Sequence, residues 1–400
     1  MSQPDFPRLR LKKNEERRLR AGHLWVYGNE VDEKTTPYKS LEPGQPVVIE
    51  AHNGKALGTG YANPRSLICA RLVSRDPDHP FGPSLLVHRL KVALSLRERL
   101  YRQPYYRLVY GESDGLPGVV IDRYGSVCVI QITTAGMERL KDELLAALDK
   151  VIKPVAVLWR NDSSIRTLEG LSSYVDTAIG EVPDTVMIEE NGIAFQAPLA
   201  DGQKTGWFFD QQANRHQLQK YVRDCRVLDV FSYVGGWGVQ AAVRGAREVV
   251  CVDSAESALT AVNANAVLNQ VGDRVSTRQG DAFAVLKALR EDRERFDVIV
   301  LDPPAFVKRK KDLKEGTLAY RRINEAAMQL LAKDGILISC SCSSHFAIEA
   351  LNQVMLQGSR HVDRNLQILE QGWQAPDHPI HPAIPETAYL KALFTRVLPN

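Results

Sequence analysis

The chain has 400 residues, of which 44% are hydrophobic and 25% charged, with a formal net charge of +3. This is the composition of an ordinary soluble globular protein of two or three domains, and no apolar run reaches the length of a bilayer crossing. A net charge this small excludes arguing for a nucleic-acid partner from bulk charge alone, so only the placement of charge can speak for one. Residues 1–30 lack the apolar core of an export signal, and a cytoplasmic protein without membrane attachment is expected. Cys69, Cys128, Cys225 and Cys251 are scattered through apolar stretches and read as reduced core thiols. Cys340-Ser-Cys342 is spaced too closely for a zinc knuckle and lacks a His/Cys partner pair, so no metal is expected.

In chain order, Arg8, Arg10, Lys12, Lys13, Arg17, Arg18 and Arg20 put seven cations within thirteen residues. Charge alone would make this a solvated helix face ended by Gly22. Beyond it, however, Pro46–Glu50, Ala56–Tyr61 and Ser66–Val73 are short strand patterns separated by Gly, Asn and Pro turns. Residues 1–75 are therefore expected to form a small β-rich domain behind a basic arm able to grip phosphates.

Asp76–Pro83 reads as a linker rich in proline and charge. Leu86, Leu90, Ala93 and Leu94 recur at helical spacing within Leu85–Tyr101. Arg107–Tyr110, Gly118–Asp122, Val127–Ile132, Val155–Trp159 and Met187–Phe195 read as strands, with a helix near Met137–Ile152, so residues 76–190 are expected to be α+β. The loop Gly111–Gly118 is explained by ordinary turn chemistry. Gln203–Arg215 mixes Gly206, three aromatics and Asp210-Gln211, either as core or as a cofactor lid. His378 and His381 lie in a Pro-rich loop and do not make a metal site by themselves.

Residues 191–400 carry the informative pattern. Arg226-Val-Leu-Asp-Val-Phe-Ser-Tyr-Val-Gly-Gly-Trp-Gly238 is an apolar strand breaking into a glycine turn and then a helix. Val249–Asp253 and Arg274–Gln279 are further short strands. Asp297–Pro304 ends Asp302-Pro-Pro, and Gly335–Ser344 ends on the two cysteines. Helical patterns separate them, which implies a doubly wound α/β sheet with ligands at the carboxyl ends of its strands. Tyr389–Val397 reads as a last antiparallel strand at the sheet edge, and Val362–Gln371 as a further element.

What stands at those ends narrows the ligand. The turn lets a ligand approach the backbone, and the helix start offers N–H groups to an anion. Asp253, twenty-four residues after Asp229, is placed for the two hydroxyls of a ribose. Gly280-Asp281-Ala282 supplies a carboxylate and an N–H for an adenine edge. Gly-Gly-Trp-Gly is not the pyrophosphate fingerprint of a dinucleotide fold. The pattern therefore describes a nucleoside site.

Asp-Val-Phe-Ser-Tyr-Val-Gly-Gly, Val-Asp-Ser, Gly-Asp-Ala, Leu-Asp-Pro-Pro-Ala-Phe and Ser-Cys-Ser, in that order, resemble the motifs of class I S-adenosylmethionine-dependent methyltransferases. More narrowly, they resemble the bacterial 23S ribosomal RNA cytosine-5 methyltransferases that carry an N-terminal PUA domain. The resemblance covers nearly the whole chain. It implies a PUA domain at the N-terminus, a central α+β domain, and a Rossmann-like domain with a mixed seven-stranded sheet. The implied cofactor is S-adenosyl-L-methionine, held by Asp229, Phe231, Ser232, Gly235, Gly236, Asp253, Ser254, Asp281, Ala282 and Asp302. The implied partner is RNA, specifically 23S ribosomal RNA, and a homodimer is allowed for.

Cytosine C5 is a poor nucleophile, so its methylation needs a thiolate that adds to C6 and later leaves; a cysteine, with a pKa of about 8.5, can supply one. A strand over Ile336–Ser341 puts Cys340 and Cys342 on one face, with the later one nearer the open end. The Ser-Cys-Ser motif then implies Cys342 as nucleophile, with Asp302 acting on the N3/N4 edge of the base. Ala305 follows Pro304 where the two-cysteine branch of these enzymes has a cysteine. Lys308-Arg-Lys-Lys311 is either a phosphate-binding stretch or a solvated loop. Two other readings stay open: methylation of a base nitrogen or guanine with Cys342 inert, and an inactive RNA-binding assembly factor.

Overall fold

The structure, a computed structural model, describes residues 6–76, 80–200 and 202–400. Of the linker read over Asp76–Pro83, residues 77–79 lie outside the described residues. The chain divides into two compact units. One comprises residues up to Val186 with Pro198–Phe209 and Pro376–Thr387; the other comprises Met187–Ala197, Asp210–Ala375 and Ala388–Asn400.

The first unit opens with β1 (Arg8–Arg10), α1 (Glu16–Arg20), β2 (Trp25–Tyr27), β3 (Gln45–Glu50), β4 (Ala56–Ala62) and β5 (Ile68–Ser74), of which β4 and β5 are buried along most of their length. The strands form one sheet in the order β1-β3-β4-β5-β2 around a core that includes Leu9, Val26, Val47, Ile49 and Leu72. The expected basic arm is corrected here. Arg8 and Arg10 flank the buried Leu9 in a strand that pairs parallel with β3, and both guanidiniums meet Glu50, whose side chain is 1% exposed. A carboxylate at that depth needs cationic partners, so these two arginines are structural. Arg18 is likewise held by Glu30 at 2.7 Å. Lys12, Lys13, Arg17 and Arg20 remain on the surface.

The same unit continues with α2 (Pro83–Leu100), β6 (Tyr105–Tyr110), β7 (Val119–Tyr124), β8 (Val127–Ile132), α3 (Ala135–Arg139), α4 (Lys141–Ile152), β9 (Ala156–Asn161), α5 (Ile165–Leu168) and β10 (Tyr174–Ile179). The expected helix near Met137–Ile152 is broken at Leu140 into α3 and α4. The five strands lie in the order β10-β9-β8-β7-β6. The loop Gly111–Gly118 is structural: Asp114 accepts two bonds from the fully buried Arg97, and Glu112 accepts one from the Trp25 indole. Met187–Phe195 is corrected from a single strand to a hairpin, β11 (Thr185–Glu190) and β12 (Ile193–Pro198), turning at Asn191-Gly192, where both residues have positive φ.

The second unit holds α6 (Gln212–Leu218), β13 (Arg226–Val230), α7 (Gly238–Val243), β14 (Glu248–Asp253), α8 (Glu256–Leu268), β15 (Val275–Gln279), α9 (Ala282–Glu291), β16 (Phe296–Leu301), α10 (Leu313–Leu330), β17 (Leu331–Ser341), α11 (Ile348–His361), β18 (Arg364–Trp373) and β19 (Lys391–Pro399). Its seven-stranded sheet runs β15-β14-β13-β16-β17-β19-β18, with β19 antiparallel to both of its neighbours. The expectation of β19 at the sheet edge is corrected: it lies one strand in. Lys391–Thr395 is buried throughout, whereas β18 turns most of its residues to solvent, so β18 takes the outer place. The strand order reverses between β13 and β16, which opens a crevice at their carboxyl ends. Among the described residues no helix is long and apolar enough to cross a membrane.

Candidate active site

The first wall of the crevice is the turn after β13. Phe231, Tyr233 and Gly235 all have positive φ, which folds the backbone back on itself and makes Gly235 the residue that suits its position best. At Gly238 a Cβ would stand 2.4 Å from the Cys251 sulfur and 3.1 Å from Asp229 Oδ2, so only glycine lets α7 start against β14. The Gly238 N–H donates to Asp229 Oδ2 at 2.8 Å. The expected free N–H groups at the helix start are thus corrected at this donor, which the chain's own carboxylate occupies. Asp229 Oδ1 and the Ser232 hydroxyl are buried without a hydrogen-bond partner. Burial pushes the Asp229 carboxyl up to about 7, the Gly238 bond opposing it, and the charges of Asp302 and Asp253 add to the rise.

Asp253 ends β14 with Oδ2 accepting the Tyr233 N–H at 2.9 Å and Oδ1 accepting the Ala255 N–H at 3.0 Å. Each oxygen keeps a lone pair for a ligand hydroxyl. Ser254 is exposed beside it, and its carbonyl accepts from Gln279. The Gly280 N–H donates to the Asp253 carbonyl, which draws the next strand end to the same place. There Asp281 caps α9 through the Ala284 N–H at 3.1 Å, with Ala282 buried behind it.

Asp302, just past β16, is clamped on both oxygens. Gln211 Nε2 donates to Oδ1 at 2.8 Å and the Trp237 indole to Oδ2 at 3.0 Å. Asn214 in turn donates to Gln211 at 2.7 Å and fixes its amide. Burial raises the Asp302 carboxyl to about 6, although the Trp237 bond favours the ion. Cys342 follows the end of β17, half-buried, with its Sγ toward the Pro303 carbonyl at 3.9 Å. Cys340 is fully buried, and burial holds its thiol well above the ordinary range. The backbone around Cys342 is set by the Tyr320 hydroxyl, which meets Ser341 Oγ at 2.9 Å and Ser343 Oγ at 3.0 Å. Ser343 Oγ accepts the Val307 N–H, and the Lys391 amine donates to the Ser343 carbonyl at 2.6 Å.

The structure therefore gathers the residues singled out at five strand ends into one crevice. It also adds Asn214, Tyr320 and Lys391, which the sequence pattern does not place there, and makes Gln211, from the possible lid, and Trp237, from the glycine turn, the two donors to Asp302. Of the three added residues, only Lys391 carries a signal, as a cation directly ahead of the apolar run Ala392-Leu-Phe394. The two options for Gln203–Arg215 separate by position. Trp207 and Phe209 are packed in the first unit, where the Tyr124 hydroxyl accepts the Trp207 N–H; Asp210, Gln211, Asn214 and Arg215 are buried in the second. Lys308–Lys311 is exposed, with Arg309 paired to Asp312. His378 is buried against Asp377, and among the described residues no group of three or more His, Cys, Asp or Glu is arranged to hold a metal ion.

A switch-point crevice lined by strand-end carboxylates, on a sheet whose seventh strand is antiparallel, defines a class I methyltransferase fold. Residues 166–396 match the S-adenosylmethionine-dependent methyltransferase family and residues 9–75 the PUA-like domain family. The ribosomal RNA large subunit methyltransferase I of Salmonella arizonae is 37% identical over 400 residues, covering 99% of this chain and 98% of that protein. Among solved structures, a candidate SAM-dependent methyltransferase from Streptococcus mutans has a TM-score of 0.83 at 21% identity, covering 98% of this chain and 100% of that one. A methyltransferase complexed with SAH reaches 0.84 with the same identity and coverage; both speak for the fold. The chain belongs to the S-adenosylmethionine-dependent methyltransferase family that includes these ribosomal RNA large subunit methyltransferase I proteins, and S-adenosyl-L-methionine is its cofactor. The site suits that group: two buried polar atoms without partners, Asp229 Oδ1 and Ser232 Oγ, stand beside a strand-end carboxylate with lone pairs to spare.

Proposed function

We propose that the protein methylates C5 of a cytosine in large-subunit (23S) ribosomal RNA through a covalent bond between Cys342 and C6 of the base. The observation that carries this reading is the pairing of a half-exposed thiol, Cys342, with a clamped carboxylate, Asp302, across the Pro303 carbonyl. The 37% identical relative, a ribosomal RNA large subunit methyltransferase I, supports ribosomal RNA as the substrate class. The PUA-like domain supports an RNA partner in general.

In this reading Asp253 takes the ribose hydroxyls, with Ser254 beside it. Asp281 and Ala282 meet the adenine edge. Asp229, Phe231, Ser232, Gly235 and Gly236 form the floor of the turn. The cofactor supplies an electrophilic methyl group. The Cys342 thiolate adds to C6 and places electron density on C5. Asp302 shares a proton with the N3 edge; a carboxyl raised to about 6 holds and returns that proton near neutrality. After methylation the C5 proton is lost to a base, the C5–C6 double bond re-forms, and Cys342 leaves as the thiolate. The target base must be unstacked to reach the crevice.

The test is nucleoside analysis of large-subunit RNA after incubation with the purified protein and labelled cofactor. Label in 5-methylcytidine is expected. Label in a methylated guanosine, or on a base nitrogen, would replace this reading.

A further inference from the structure

Lys391 is a lysine where the fold has no evident need of one. It opens β19, and its residue is 5% exposed in a run of Ala392, Leu393 and Phe394. Buried lysines are ordinarily paired with a carboxylate. Among the described residues Lys391 has no such partner: its amine donates only to two backbone carbonyls, Ser343 at 2.6 Å and Tyr389 at 2.8 Å. In the strand register its Cα lies opposite Ser341. The lysine thus brackets Cys342, with its backbone paired to the residue before and its amine bonded to the residue after. Two carbonyls take two of the three protons of an ammonium and leave the third for another acceptor.

We propose that Lys391 is the counter-charge of the Cys342 thiolate, a positioning residue that both holds the 341–343 backbone and favours ionisation of the thiol between its two anchor points. This rests on the reading of Cys342 as nucleophile. When the thiol ionises, its proton passes to the Lys391 amine or, if the amine is already charged, to solvent; either route ends in a thiolate beside an ammonium. Burial lowers the Lys391 amine to about 8, and the Cys342 thiolate is the charge that acts against that fall, so the two groups favour each other's ionised forms. The other cation whose charge reaches this end of the sheet is Arg215 of α6, which acts on Asp302 and Cys340 and is itself bonded through two nitrogens to Glu190. The Tyr320 phenol, from α10, is kept protonated by burial, as is the Cys340 thiol, and Asp302 is an acid.

The test is the pH profile of iodoacetamide alkylation at Cys342, followed on its own peptide so that Cys225 is counted apart, in the full chain and in Lys391→Met. The wild type should titrate below the ordinary thiol value of about 8.5. Lys391→Met should move the midpoint up by roughly one unit, an approximately tenfold loss of rate at neutral pH, with the alkaline plateau retained. A plateau that falls while the midpoint stays would reduce Lys391 to a backbone strut and overturn the proposal. Should Lys391→Met fail to fold, the wild-type profile decides, and a midpoint at or above the ordinary value overturns it.

The nucleophile reading is tested apart from this, by whether the wild type forms a covalent complex with RNA carrying 5-fluorocytidine. A trapped wild type with an unmoved Lys391→Met midpoint would defeat the lysine proposal alone. An untrapped wild type with a shifted midpoint would defeat the nucleophile alone.

Discussion

Carboxylates in the first unit and carboxylates in the crevice of the second are kept by opposite means. In the first, buried acids meet guanidiniums: Glu50 with Arg8 and Arg10, Asp114 with Arg97, Asp122 with Arg107, Glu169 with Arg71. In the crevice, Asp229, Asp253 and Asp302 meet N–H donors of the backbone, an indole and an amide. A guanidinium settles the charge and makes the acid a part of the fold. An N–H donor orients the acid but leaves its charge to act on a ligand, at some cost in stability. The difference separates acids that build the fold from the acids proposed to act on a ligand, and it can be broken at either end.

The largest effect is expected from Arg97→Ala. Arg97 is fully buried, bonds Asp114 at 2.6 and 2.7 Å, and also donates to the carbonyls of Arg107 and Asp377. Its loss strands a carboxylate and two carbonyls, and urea unfolding should show a loss of about 3–5 kcal/mol. A loss near the value for a surface pair would mean that the guanidinium pairs are not what holds this unit.

Asp253→Ala should leave the unfolding midpoint nearly unchanged and weaken S-adenosylmethionine binding by about 1.5–3 kcal/mol by calorimetry. Unaltered affinity with an intact fold would place the ribose elsewhere.

Asp229→Asn should be more stable than the wild type at alkaline pH, by roughly 1–3 kcal/mol, and the gap should close on acidification. The sign follows from a folded value of about 7 against about 3.9 when unfolded. The native state holds the proton longer than the unfolded state does. Native stability is therefore lost as pH rises from about 4 through about 7, and Asn removes that loss. Equal pH profiles for the two proteins would show Asp229 to be settled like the acids of the first unit.

The smallest effect on stability, within about 0.5 kcal/mol, is expected when the exposed Lys12, Lys13, Arg17 and Arg20 are neutralised together. The readout there is RNA affinity, whose salt slope should fall by up to about 0.7–0.9 for each phosphate that is no longer neutralised. Should the slope stay fixed, this face takes no part in RNA binding.

Much of the crevice is legible in the sequence because parallel strands buried on both faces are written as short apolar runs, and their last residues, Asp253, Asp302 and Cys342, stand out against them. What is not legible depends on partners far along the chain. Arg8 and Arg10 read as a basic arm because Glu50, which turns them into a strand, lies some forty residues on. Nothing local marks Gln211 or Trp237 as the two donors to Asp302. The place of β19 between β17 and β18 is hidden because an apolar strand looks the same at an edge as inside. The Asn191-Gly192 pair does carry a hairpin signal of its own, but the apolar residues on either side of it make the stretch read as one strand.

The proposed division between building and working groups reaches its sharpest form in two cysteines two residues apart, one buried within β17 and one just past its end. RNA carrying 5-fluorocytidine measures it directly, because fluorine at C5 is not lost as a proton is, so an enzyme that adds to C6 stays bonded there. The wild type and Cys340→Ala should give a covalent complex on denaturing gels, the latter with at most a packing loss. Cys342→Ala should give neither complex nor turnover, yet bind S-adenosylmethionine as the wild type does. Methyl transfer to RNA by Cys342→Ala would contradict a cysteine nucleophile and leave methylation of a base nitrogen as the stronger reading.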